Sequence, residues 1–155
     1  FVISAMPFIA QFIDLNSQSK GRIMWPPYVP PFIAILNEFT TEREVIASDM
    51  PWGVAWYADR KSLLLPMTLK DFTSLSDYNT LGGPLVGLYL TPVTGDKAFI
   101  RDIMKGEYRE WAPFITRQVT PASLRNFPLK AMTALPWENE CVFYADRDRW
   151  TTRED

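Results

Sequence analysis

Histidine is absent from the 155 residues. That excludes Ser-His-Asp and Cys-His nucleophile arrangements, His-ligated zinc and the usual proton shuttle at neutral pH. Cysteine occurs once, as Cys141, so no internal disulfide and no cysteine cluster for a metal is available, and packing alone must hold the chain. Neither sign of charge dominates: 16 Lys and Arg stand against 18 Asp and Glu, which leaves no basic arm for nucleic acid. Long apolar runs are missing too. The opening FVISAMPFIA is apolar up to Gln11, about half of the ~20 residues that cross a bilayer. It lacks the basic n-region and small-residue cleavage site of a signal peptide. The expectation is a piece cut at or just after an apolar element. Residues 1–24 would then be a helix and linker following an upstream transmembrane segment, and residues 25–155 a soluble α/β domain.

What is present suits a single folded domain: 47% of residues are apolar, and a chain of this length buries a proper core. Phe8, Ile9, Phe12 and Ile13 repeat at helical spacing, predicting a helix over 7–16. The segment Met24-Trp25-Pro26-Pro27-Tyr28-Val29-Pro30-Pro31 favours an extended, polyproline-like path that Trp25 and Tyr28 could anchor. Phe32, Ile35, Leu36 and Phe39 then form one face of a helix over 31–39. Glu44 to Ser48 reads as a buried strand, and Ser48-Asp49-Met50-Pro51 turns it into a helix over 50–58 with Trp52, Ala55 and Trp56 on the inner face. Ser62 to Leu65 is the second strand. Thr68-Leu69-Lys70-Asp71 has the capping-box form and opens a helix that Gly82-Gly83 ends. Leu85 to Leu90 is a third strand, 96–105 a further helix, and 120–126 a short one. Leu129 to Leu135 and Glu140 to Tyr144 read as two late strands joined by Pro136-Trp137-Glu138-Asn139, close enough for a hairpin. Strands alternating with helices predict a Rossmann-like three-layer α/β domain: a mainly parallel sheet with an antiparallel excursion near the C-terminus.

The densest polar and aromatic cluster is Ser48, Asp49, Trp52, Trp56, Tyr57, Asp59 and Arg60. In open parallel sheets, ligands settle beyond the C-terminal ends of the strands, where Ser48 and Asp49 fall. Indole faces stack on apolar sugar faces while Asp and Arg bond hydroxyls, so the cluster could hold a sugar, with Asp49 and Asp59 as candidate carboxylates. A structural reading accounts for the same residues, with Asp49 as a helix cap, both indoles in the core, and Asp59 with Arg60 ending the helix. The turn after the first strand carries neither GxGxxG nor GxxxxGK[ST], so no nucleotide, cofactor or metal is expected. Asp146-Arg147-Asp148-Arg149-Trp150 alternates in sign as a solvated, salt-bridged end does. Cys141 reads as a buried small hydrophobe.

The run SDMPWGVAWYADRKSLLLP from Ser48 to Pro66 resembles a segment of the C-terminal extracytoplasmic region of certain bacterial membrane glycosyltransferases. These are similar to the dolichyl-phosphate-mannose protein mannosyltransferases and aminoarabinose transferases. Trp25-Pro26-Pro27-Tyr28, with Pro30 and Pro31, and Phe143-Tyr144-Ala145-Asp146-Arg147 are similar to the elements flanking that segment; strong matching covers about a third of the chain. The resemblance implies a domain on the outer, periplasmic face of the membrane, anchored by upstream helices. Its partner would be the membrane-embedded remainder of the same chain, which takes sugar from a polyprenyl-phosphate carrier. It also implies that the catalytic acids lie upstream, so no catalytic residue is carried over; the domain would hold acceptor or lipid-linked sugar, or shape the mouth of the active site. Two other readings stand beside it: a stand-alone carbohydrate-binding or carboxylate-dependent hydrolytic domain, and a structural interaction module.

Overall fold

The computed structural model describes residues 30–77, 82–91, 103–134 and 141–151. Pro30 opens α1 (Pro30–Ala34), where a missing N–H forfeits no helical bond, and α2 (Leu36–Phe39) follows. The single helix expected over 31–39 is thus split at Ile35. Next come β1 (Val45–Ser48), α3 (Pro51–Tyr57), β2 (Lys61–Leu64), α4 (Leu69–Asp77) and β3 (Leu85–Leu90). A 3-10 turn at Arg109–Trp111 leads into α5 (Ala112–Ile115), another 3-10 turn lies at Pro121–Ser123, and β4 (Ala131–Ala134) and β5 (Val142–Ala145) complete the fold. The helix expected over 7–16, the extended run Met24 to Val29, most of the helix over 96–105 and the Pro136–Asn139 connection lie outside the described residues.

The strands form one sheet in the order β2-β1-β3-β5-β4. β1 is parallel to β2 and β3, whereas β5 is antiparallel to both β3 and β4. The Rossmann-like expectation of a mainly parallel three-layer domain is therefore wrong: two of the four pairings are antiparallel, and the helices are few and short. The cause is topological. β1, β2 and β3 are linked through α3 and α4, which return the chain to run in the same direction, but β4 pairs antiparallel with β5, and β5 then lies antiparallel against β3. The protein is a small α/β fold with a mixed sheet.

Two apolar clusters cover the sheet. Ile46, Tyr89, Phe143 and Ala145 meet Ile33, Leu36, Met50 and Val54 on the side of α1 to α3. Val45, Ala47, Leu88, Leu90 and Tyr144 meet Phe72, Trp111, Phe114 and Phe127 on the side of α4 and α5. Trp111 is fully buried and donates from Nε1 to the Pro66 carbonyl at 2.7 Å, which satisfies its only polar atom. Thr68 caps α4 as its spacing implies, with Asp71 N donating to Thr68 Oγ1 at 3.1 Å. Gly83 lies so close to the chain before β1 that a Cβ there would collide with the Arg43 carbonyl oxygen.

Candidate functional site

The Ser48–Arg60 run crosses the whole depth of the sheet, so the structure divides the candidate residues between its two ends. Ser48 ends β1 beside Leu64 of β2 and Tyr89 of β3. Asp49 follows it, at the place in the strand order where β1 has one crossover leading to β2 and the next returning to β3, the switch point at which open α/β sheets leave a crevice. Here the crevice is bridged. Thr91, just past β3, donates its backbone N–H to Asp49 Oδ1 at 3.0 Å and its hydroxyl to Asp49 Oδ2 at 2.6 Å. Asp49 therefore latches two strand ends instead of capping α3, and Met50 N finds its acceptor in Ser48 Oγ at 3.0 Å. Burial pushes the Asp49 carboxyl above its usual range, and the Thr91 and Ser48 bonds offset only part of that rise. The Tyr89 phenol is raised as well, by burial first and then by neighbouring Cys141 and Asp49. Cys141 is half-buried against the α3-side cluster.

Trp52, Trp56 and Tyr57 lie on α3, which starts with Pro51 at its first turn. The inner-face expectation is overturned: Gly53, Val54 and Ala58 are the buried positions, while Trp52 is 56% and Trp56 81% exposed. Tyr57 is half-buried beside the same cluster. α3 ends where Asp59 adopts a left-handed backbone, φ 51°, after Ala58 N bonds the Val54 carbonyl at 3.0 Å.

Arg60 belongs to the opposite end of the sheet from Asp49. Its guanidinium donates to the carbonyls of Thr40, Asn37 and Asp59 and to Asn37 Oδ1, at 2.8–3.0 Å. It thereby satisfies the carbonyls that α2 leaves open at its C-terminus and complements the helix dipole there. Arg149 joins it. The sequence reads that residue as part of a solvated tail, yet its side chain is 5% exposed and donates to Glu44 Oε1 at 2.8 Å, to Asp146 Oδ1 at 2.6 Å and to the Phe39 carbonyl. Burial acts to raise Glu44, but bonds from Arg149 and Thr41 outweigh it and hold the carboxyl below its ordinary value.

Asp49 and Asp59 are not brought together. From the Val45–Lys61 pair to Asp49 is four residues along the strand direction, about 13 Å at ~3.3 Å per residue. Asp59 lies a further two residues before Lys61. That exceeds the ~5–9.5 Å over which paired carboxylates hydrolyse a glycoside. Sequence reasoning missed Thr91, Arg149 and Trp111, whose roles come from partners 42, 105 and 45 residues away. No group of three or more metal-ligating side chains occurs among the described residues. None of their helices is long and apolar enough to cross a membrane. No family model, curated protein or solved structure matches this chain.

Proposed function

We propose that the chain is a non-catalytic extracytoplasmic domain of a polyprenyl-phosphate-sugar-dependent membrane glycosyltransferase, and that α3 faces the membrane-embedded remainder of the same chain. One observation carries this. Of the five large apolar side chains that stand exposed among the described residues, Trp52, Trp56, Leu64 and Met67 all fall within or next to the run that resembles those enzymes; Met104 is the exception. Trp52 and Trp56 are one helical turn apart and so lie on one face. Two exposed indoles on one helical face mark a place of contact, whereas scattered exposed residues need no explanation. The arginines and carboxylates of the same run are already engaged in holding the fold, or lie apart, so the run supports docking better than chemistry.

The test is a Trp52→Ala/Trp56→Ala double variant in the full-length gene product. Sugar transfer should fall by about tenfold or more, as expected for lost aromatic anchors at a contact, while the melting temperature of the isolated domain stays put. Unchanged transfer would remove the docking role. A gene encoding no apolar spans of ~20 residues upstream would remove the parent enzyme.

A further inference from the structure

A cavity lies at the end of the sheet where β1 and β2 begin, lined chiefly by α2 and the turn after it. It measures about 920 Å³, inside the ~300–1,000 Å³ range of small-ligand sites. A second hollow of about 440 Å³ adjoins it, sharing Glu42 and Arg60 and continuing past Asp59 and Lys61 to Ala55 of α3. The two make one elongated cleft. We propose that this cleft binds a neutral oligosaccharide.

Three features argue for that class of ligand. The first is the balance of charge. Arg149 is engaged by both Glu44 and Asp146, which leaves one carboxylate in excess there. The remaining groups of the larger cavity are Glu38 and Glu42 against Arg43 and Arg60. With signs interspersed and a single negative charge in excess, the site disfavours an anion and offers a cation no concentrated charge. The second is the supply of hydrogen-bonding groups. The side chains of Glu38, Glu42 and Arg43 are exposed and make no hydrogen bond or ion pair among the described residues. Planar carboxylates and guanidinium groups that bond in pairs match adjacent hydroxyls on a sugar ring. The third is a fixed aromatic wall. Trp150 meets Phe39 and Phe143 edge-on, both with centroids 6.2 Å apart, and its backbone is pinned by Asp148 Oδ1, which accepts from Trp150 N at 3.2 Å and Thr151 N at 3.0 Å. The Trp150 indole N–H finds no acceptor among the described residues. A ring held in this way loses little freedom when a sugar stacks on it. The proposal does not rest on the glycosyltransferase reading, because it uses neither Trp52 nor Trp56.

The purified chain is titrated by calorimetry with maltotriose, cellotriose and mannotriose, and with trigalacturonate as the charged comparator. At least one neutral trisaccharide should bind saturably with a Kd at or below about 1 mM, the weak end of useful recognition. Glu42→Ala and Arg43→Ala should each weaken it by about threefold or more, the worth of a lost hydrogen bond. Trp150→Phe keeps the ring stack, removes the indole N–H, and should weaken binding. Trp52→Ala/Trp56→Ala should bind as the parent does. The proposal is overturned if no neutral trisaccharide saturates the protein below ~50 mM. It is also overturned if trigalacturonate alone binds, if the Glu42 and Arg43 variants bind normally, or if the α3 double variant loses binding.

Discussion

Replacing Asp49 separates its two roles, as acceptor and as buried charge. In Asp49→Ala, the backbone N–H and hydroxyl of Thr91 lose their acceptors in a residue only 3% exposed. A stranded buried donor costs about 1–3 kcal/mol, and the hydroxyl recovers part of its loss by rotating, so the change should destabilise by about 2–4 kcal/mol. For a chain of this size that lowers Tm by roughly 5–15 °C. Asp49→Asn differs. Its carbonyl still accepts from Thr91 N and its amide donates to the Thr91 hydroxyl, so at neutral pH it should stay within about 1 kcal/mol of the parent. The two variants also differ in pH dependence. Because burial raises the folded-state pKa of Asp49 above its usual 3.8, the folded protein binds that proton more tightly than the unfolded chain does. The resulting stabilisation is complete below the unfolded pKa and is lost as pH rises through the folded one. Urea denaturation of parent and Asp49→Asn across the acid range should show the parent's relative stability falling as pH rises from about 4. A flat or rising difference would refute the dominance of burial over the Thr91 bonds, and an alanine variant as stable as the asparagine one would refute the latch.

Glu44 titrates with the opposite sign: its lowered pKa means that the Arg149 pair stabilises the fold above the ordinary carboxyl range and loses that effect as pH falls through the folded value. Arg149→Met should destabilise by about 2–4 kcal/mol at pH 7 in urea melts, because it leaves Glu44 partly buried without its cation. Gly83→Ala should cost about 3 kcal/mol or more by the same measurement, since its Cβ meets backbone that cannot swing aside. Trp111→Phe removes the bond to Pro66 and leaves a void, and should lower stability by roughly 2–3 kcal/mol. By contrast, Trp56→Ala should change it by less than about 1 kcal/mol, since that side chain is 81% exposed.

The strands were the most legible part of the sequence. Short apolar runs at 45–48, 85–90 and 142–145 are strands buried at every position. Their arrangement was not legible, because alternating strands and helices specify that β1, β2 and β3 run alike but say nothing of where a late hairpin attaches. β5 joins β3 through Phe143 and Tyr144, one ring entering each apolar cluster, and that pairing makes the sheet mixed. Trp111 escaped notice for a related reason. Its short 3-10 turn and helix give no usable period, and its place in the core rests on Phe72 and Phe114, with ring centroids 5.4 Å away in each case.

The misreading of α3 has a more instructive origin. Pro51 to Tyr57 is apolar all the way round, so helical spacing offers two faces, one of Trp52, Ala55 and Trp56 and one of Met50, Gly53, Val54 and Ala58. Size alone favours burying the indoles, which hide the greater area. Approach distance decides otherwise. At Gly53 an added Cβ would lie 3.2 Å from Met50 Cγ and 3.4 Å from Ile33 Cδ1, so α1 and the 50s turn are already packed as tightly as a glycine permits. An indole on that face would push α1 off the sheet and open the cluster around Ile33 and Leu36. The small-residue face therefore packs inward and the two indoles stand largely outside it. Their exposure follows from the packing of the fold.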